Sequence, residues 1–278
     1  MISPSQEQLS LLNRRERFAY KIADWCNQNC KQLLITYNRS VMFMIIWLCM
    51  SRRLNVHGLD RVQDLDRDSR VILVANHRSF YDFFVATWVN YTYTNMSRRI
   101  FYPVRSTFFY DSIFGPLINI FLSGFSMFPP IMRDRSKKGF NRYSMERTIA
   151  EINDSGVVIG FHPEGTRNKS PDLFSFLPAR YGVGEIIMHS PKVKVVPIFV
   201  LGMTSNLARE FISNWFYAKK VQIHIHYGSV IDLEEMHEEE PNMSSYLKAA
   251  ELCMDAIKEL SEEHQANFSV QQNSEPNG

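Results

Sequence analysis

Residues 71–82 read VILVANHRSFYD, and this stretch decides how the rest of the chain is read. Its first five residues are apolar and mostly β-branched, and the run stops at Asn76, the pattern of a strand buried on both faces. Asn76 and His77 then occupy a turn, and Ser79 stands where a helix over 79–92 would take its N-cap. His77 and Asp82 are five positions apart. On one continuous helix that spacing would hold them about 140° apart. Across a strand–turn–helix boundary, however, the turn can fold His77 back over the helix start. Asp82 could then accept a hydrogen bond from one ring nitrogen and leave the other to take a proton. The same residues also fit a plain helix start, because Ser79-x-x-Asp82 is a capping-box pattern.

Downstream, VVIGF at 157–161 and KVVPIFVLG at 194–202 read as further buried strands. QIHIHYG at 222–228 alternates, as a strand with one wetter face does. A shorter strand is expected at 100–104. Helices are expected over 139–155, ending at Gly156, over 178–190 and over 243–263. From Gln265 the polar tail is expected to be disordered. Strands separated by helices give a mixed α/β fold, a central sheet flanked by helices, with active loops at strand ends. Between 107 and 128 an apolar stretch is broken by Gly115, Pro116 and Gly124, so it reads as a hydrophobic wall with turns rather than one spanning helix.

Upstream, residues 5–50 hold neither proline nor glycine and read as helix. The most apolar run, VMFMIIWLCM at 41–50, falls short of the roughly 20 residues that span a bilayer. Arg39, Arg52 and Arg53 flank it and Trp47 lies within it, the company kept by an interfacial or re-entrant helix. No secretory signal pattern is visible in the first thirty positions. The expected organisation is an N-terminal helical, membrane-docking segment over 1–54, an α/β domain over 55–264 and a tail over 265–278. The expected location is the cytoplasmic face of a membrane.

The 278 residues are 45% hydrophobic and 22% charged, which excludes both a disordered chain and a polytopic membrane protein. A net charge of +2 is too small to argue for nucleic acid. Arg133, Arg135, Lys137, Lys138, Arg142 and Arg147 crowd one stretch, which suits a phosphate-bearing ligand or a membrane surface, and equally a solvated face. Glu234, Glu235, Glu238, Glu239 and Glu240 crowd another. Four cysteines are too few for a disulfide framework, and Cys26 and Cys30 lack a second pair to complete a zinc site, so all four read as reduced.

A second constellation is FHPEGTRN at 161–168. A strand end followed by Glu164, Gly165, Thr166 and Arg167 offers a sharp turn, close backbone approach and a guanidinium fork suited to phosphate. Glu164 could orient that fork or accept from a substrate hydroxyl. The competing reading is a plain turn with a surface ion pair. His162 reads as a packed strand histidine. His224 and His226 alternate on a strand and could bind metal, but no third ligand is apparent, so they read as strand residues.

Together, His77-x4-Asp82 within NHRSFYD and PEGTR at 163–167 resemble the glycerophospholipid acyltransferases, especially the 1-acylglycerol-3-phosphate acyltransferases. The resemblance covers about residues 55–230 and extends to Val196-Pro197-Ile198. The block GFSMFPPIMR at 124–133 departs from the family pattern, with a longer glycine-to-arginine spacing and Pro129-Pro130 inside it. Arg133 is the choice there for a phosphate contact, with Arg135 and Arg105 as alternatives.

The resemblance implies acyl transfer from acyl-CoA or acyl carrier protein to the free hydroxyl of a lysophosphatidate, giving phosphatidate in phospholipid biosynthesis. His77 would be the general base and Asp82 would orient it, with the substrate hydroxyl in the place a serine holds in a triad. Arg167, Thr166 and Arg133 would hold the acceptor phosphate, beside Glu164 and Gly165. Backbone amides would stabilise the oxyanion, and 107–128 would line the acyl tunnel. No cofactor or metal is required. Alternatives are the same chemistry on glycerol-3-phosphate, another lysophospholipid or a lipid alcohol, or a catalytically silent membrane-binding protein. A hydrolase is disfavoured because no GxSxG elbow supplies a serine.

Overall fold

The strand expected at 71–75 forms the middle of a sheet. The computed structural model describes residues 2–105, 109–154 and 156–273, with the side chains of all but Arg105 and 268–273. In chain order the strands among these are β1 (Leu54–His57), β2 (Arg70–Ala75), β3 (Ile100–Phe101), β4 (Val104–Arg105), β5 (Pro130–Ile131), β6 (Val157–Phe161), β7 (Lys194–Leu201) and β8 (Ile223–Tyr227). Six of them make one sheet in the order β1-β8-β7-β2-β6-β3, and β4 pairs with β5 separately. β2 lies parallel to β6 and β7, and β3 parallel to β6. β8 runs antiparallel to β7 and carries β1 parallel to itself, so the sheet is mixed.

Val71 to Ala75 are fully buried, which is why β2 is continuously apolar and does not alternate. Pro197 in β7 is tolerated because its carbonyl faces the β8 side, accepting from Gly228 N–H at 2.9 Å. The ladder to β8 begins only one residue on, at Ile198 and Tyr227, so the missing N–H is not needed. The helix Lys138–Asn153 packs on β2 and β6, and Met243–Asn273 packs on β7 and on the helix Gly182–Met188. Those two helices approach so closely that a Cβ at Gly184 would collide with the Tyr246 carbonyl.

The N-terminal helices belong to the same core. Asn13 caps Arg14–Asn29 through a capping box with Glu16. Buried Tyr20 meets Tyr143 of the helix Lys138–Asn153 with hydroxyls 2.6 Å apart. Lys31–Met50 is continuous through a π-helical turn at Asn38–Met42, and it is long and apolar enough to cross a membrane, with a third of its most apolar part buried. The sequence run at 41–50 understated this, because the helix also draws on Leu33, Leu34 and Ile35 upstream. Arg53 is not an interfacial arginine. It is buried against Glu210 in an ion pair, while Arg52 lies over the Trp215 ring at 5.4 Å.

Other expectations are corrected. The helix expected from Ser79 begins at Asp82 and runs Asp82–Tyr93. The expected strand at 100–104 is two short strands in different sheets, β3 and β4. The wall at 107–128 contains a true helix, Gly115–Ser123, closed by Gly124 in the left-handed conformation at φ 51°. β1 and the helix Leu207–Phe216 were not anticipated. The last helix runs past 263 to Asn273, because Glu262, Glu263, Gln265 and Ala266 all have good intrinsic helix propensity. The end of the expected tail, 274–278, lies outside the described residues.

The basic stretch is divided by packing. Arg147 is buried against Glu151 at 2.8 Å, Lys137 pairs with Glu16 at 2.6 Å, and Arg142 pairs with Glu146 at 3.0 Å. Arg133, Arg135 and Lys138 are left exposed. In the acidic stretch, Glu234, Glu235, Glu238 and Glu240 are exposed and Glu239 pairs with Lys248, as a solvated face does. All four cysteines are free.

Candidate active site

β2 ends at Ala75 and releases the chain into a turn that the rest of the sheet holds in place. Asn76 stitches the turn to β7: its side-chain amide donates to the Val200 carbonyl at 2.9 Å, and its Oδ1 accepts Val200 N–H at 2.8 Å. The turn carries His77 back over the start of the helix Asp82–Tyr93, where Nδ1 lies 3.3 Å from Asp82 Oδ2. The same carboxylate oxygen accepts the N–H groups of Arg78 and Ser79, each at 2.9 Å. Asp82 thus caps the turn and braces the imidazole with one atom. This is half of the capping box: Ser79 does not close it, because its hydroxyl donates to the Thr204 carbonyl at 2.6 Å and accepts from Tyr81 N–H at 3.0 Å.

Asp82 is buried, and its Oδ1 accepts from no donor among the described residues. Burial pushes its carboxyl up to about 6, opposed by the neighbouring His162 and by the amides of Ser79 and Arg78.

The second motif comes from the end of β6, the strand beside β2. Gly165 turns the chain at φ 66° and donates its N–H to the His162 carbonyl at 2.9 Å. Glu164 is buried beneath the turn. Its Oε1 accepts His77 N–H at 2.7 Å and its Oε2 accepts Leu177 N–H at 2.9 Å. Both oxygens therefore serve the backbone, and neither meets Arg167. Burial raises the Glu164 carboxyl, against the lowering effect of those two amides. The motifs are joined again by Asn168 N–H, which donates to the His77 carbonyl at 2.7 Å.

Thr166 and Arg167 are exposed. Arg167 Nη1 donates to Ser205 Oγ at 3.2 Å, and the same oxygen accepts Phe80 N–H at 3.0 Å, so the guanidinium is tethered beside the His77 turn. Arg133 follows β5 in a segment pinned by Asn141, whose side chain accepts from Met132 N–H at 2.6 Å and donates to its carbonyl at 2.8 Å. Arg133 makes no hydrogen bond or ion pair among the described residues. Arg135 lies in the short helix Arg135–Lys137, and the side chain of Arg105 lies outside the described ones.

Three residues at the site were not assigned there from sequence. His162 is packed, as expected, but against the His77 ring itself: centroids are 3.8 Å apart and the planes 8° from parallel. Its Nδ1 lies 3.0 Å from the Ala75 carbonyl and so carries the proton, and burial followed by repulsion from His77 pushes its pKa down to about 3. It is a neutral platform for the His77 ring. Arg78 reaches the carbonyls of Ser170 at 2.5 Å and Ser175 at 3.4 Å, holding the segment after the second motif. Ser205 anchors Arg167. Arg78 stood inside NHRSFYD in plain view, whereas nothing in the local sequence of Ser205 announces its role.

Chemically, this is an imidazole braced by a buried carboxylate at the ends of parallel strands, where α/β sheets place their ligands. Ligand atoms of His77, Asp82 and His162 lie within 4.8 Å of one another, a set that could also meet a metal ion. His162 places its Nδ1 on the Ala75 carbonyl, which leaves its Nε2 lone pair available, and the His77–Asp82 spacing also fits a base and an orienting acid. No curated protein matches the chain. A family model described as Acyltransferase matches residues 53–201, more than half of the chain, and its span contains both motifs and the strands that carry them. The chain belongs to the acyltransferase family.

Proposed function

We propose that the protein transfers a fatty acyl group from acyl-CoA or acyl carrier protein to the free hydroxyl of 1-acylglycerol-3-phosphate, forming phosphatidate. The observation that carries this reading is the brace on His77: Asp82 at 3.3 Å from Nδ1 leaves Nε2 as the proton-accepting nitrogen. In this mechanism Nε2 removes the acceptor hydroxyl proton as that oxygen attacks the thioester carbonyl. The C–S bond then breaks, and the imidazolium returns the proton to the departing thiolate. Asp82 holds the tautomer and stabilises the cation. Glu164 positions the His77 backbone. Thr166 and Arg167, tethered at Ser205, receive the acceptor phosphate, with Arg133 reaching it from the β4–β5 side.

Membrane docking supports a lipid acceptor. The helix Lys31–Met50 exposes Leu33, Met44 and Trp47. Beside it, Gly115–Ser123 exposes Leu117, Ile120 and Phe121, with the Tyr37 hydroxyl donating to the Phe121 carbonyl at 2.8 Å. The helix Leu207–Phe216 exposes Phe211, Ile212 and Phe216 and meets Trp47 through Trp215, ring centroids 6.2 Å apart. Exposed apolar side chains on neighbouring helices are what an interfacial protein presents to lipid. An apolar crevice between these helices and the start of Asp82–Tyr93 is lined by Ile46, Met50, Tyr81, Phe84, Leu122 and Met203, and its open space is only about 20 Å³.

The deciding experiment assays lysophosphatidate and glycerol-3-phosphate in parallel with one labelled acyl-CoA. Preferred turnover of lysophosphatidate supports the assignment. Turnover of glycerol-3-phosphate alone would move the acceptor, and acyl release to water alone would make the protein a hydrolase.

A further inference from the structure

Histidines gather a second time in this molecule, away from His77. At the sheet edge β1 and β8 run parallel, with His57 beside His226 and Asn55 beside His224. The two-residue period of a strand puts His57, His224 and His226 on one face of that pair. Their ligand nitrogens all lie within 4.8 Å of one another. His57 Nε2 lies 3.3 Å from His224 Nδ1. The helix Met243–Asn273 brings a fourth ring over the same face: His264 Nδ1 lies 2.9 Å from His226 Nε2, with the planes 85° apart.

Four imidazoles are a costly way to fill a sheet edge, since each ring nitrogen withdrawn from water needs a partner. A divalent metal ion is one partner that several neutral imidazoles can share. The spacing agrees. Tetrahedral zinc with Zn–N distances of about 2.0–2.1 Å sets its ligand nitrogens roughly 3.3–3.4 Å apart. The His57–His224 pair already has that separation. His57 and His224 are half-buried, and the remaining nitrogen separations, at most 4.8 Å, would have to shorten for all three to meet one ion. The charges nearby are matched: Arg61 forks onto Glu263 at 3.0 and 2.8 Å. An all-nitrogen set favours zinc, copper or nickel over magnesium or calcium.

We propose that His57, His224 and His226 form a binding site for one nitrogen-preferring divalent transition-metal ion, with His264 fixing the His226 ring from the C-terminal helix. The ion would fasten that helix to the sheet edge. It would also stiffen the wall behind the candidate active site, because the His264 ring packs on Phe174 at 6.1 Å and Phe199 at 6.0 Å, and Phe174 belongs to the segment whose Leu177 amide reaches Glu164. This site is independent of the acyltransfer reading.

The test uses the full chain, stripped with EDTA and reloaded with Zn2+ or Co2+. The expected result is one Zn2+ retained per chain through dialysis, a Tm that rises with Zn2+ and falls back with EDTA, and a Co2+ spectrum with the intense visible bands of a tetrahedral nitrogen site. His57→Gln and His224→Gln should each lose the ion, and His77→Ala should keep it. Should the glutamine variants fail to fold, X-ray absorption on the wild-type zinc complex counts the ligands directly, and three imidazoles are expected. The proposal is overturned by wild-type protein that retains no Zn2+ and shows no shift in Tm, by retention in both glutamine variants, by a zinc shell without imidazoles, or by loss of the ion only in His77→Ala.

Discussion

Glu164 holds His77 by the backbone: its Oε1 accepts the His77 N–H at 2.7 Å, while its Oε2 accepts Leu177 N–H at 2.9 Å. The two sequence motifs are thus one structure, with a buried carboxylate from the second fixing the residue that would do chemistry in the first. Glu164→Gln keeps one acceptor but turns an NH2 group toward a buried N–H. Expected is a loss of about 1–3 kcal/mol in stability, with kcat lowered more than either KM. Denaturant unfolding and steady-state kinetics check both parts.

His77→Ala tests the base. General-base catalysis contributes on the order of 10²–10⁴ in rate, so kcat should fall by that factor. The residue lies half-buried in a turn, so Tm should stay close to wild type. Near-normal turnover would end the assignment.

Asp82 sets the pH dependence. Its folded pKa of about 6 lies above the ordinary carboxylate value, with burial the main cause. The fold therefore favours the protonated acid. That contribution to stability is complete below about pH 4 and is lost as pH rises through about 6, with a size on the order of 3 kcal/mol. Bracing His77 needs the ionised form, so activity should fall as pH drops below about 6 while this contribution to stability grows. Asp82→Asn should flatten both trends: activity at neutral pH lower by about 10²–10⁴, and Tm at neutral pH no lower than wild type. A wild-type activity profile flat from pH 5 to 7 would contradict the role given to this carboxylate.

Arg167→Ala tests the phosphate grip. A hydrogen bond to a charged group is worth about 1.5–3 kcal/mol, or roughly 10–150-fold in kcat/KM for the phosphate-bearing acceptor. The KM for the thioester should not move, and stability should change by under about 0.5 kcal/mol, since the side chain is exposed. Ser205→Ala, which frees the tether, should show a smaller effect in the same direction.

Replacing Leu117 and Phe121 together with serine tests membrane docking. Both are exposed, so melting should be unchanged. Each forfeits as much as about 1.5–3 kcal/mol of burial in lipid, so vesicle binding should weaken by about 10-fold or more. Sedimentation with phospholipid vesicles measures it, and unchanged binding would direct attention to Lys31–Met50 alone.

Much was legible in the chain itself. Buried strands announce themselves by unbroken β-branched runs, as β2, β6 and β7 did, because a strand covered on both faces has no polar side to alternate. Turn chemistry and short-range spacing likewise placed His77 and Asp82 across one boundary, since their approach is settled within six residues. Long-range packing decided the rest. That Arg53 would be buried on Glu210 and Arg147 on Glu151, that Glu164 would spend both oxygens on amides, and that His162 would stack on His77 all depend on partners brought together by the sheet order. The third and fourth histidines beside His224 and His226 come from β1 and from the last helix, at sequence separations that no local pattern can carry. Local propensity and periodicity are properties of neighbours along the chain, whereas the charge and ligand environment of a side chain belongs to whatever the fold sets against it.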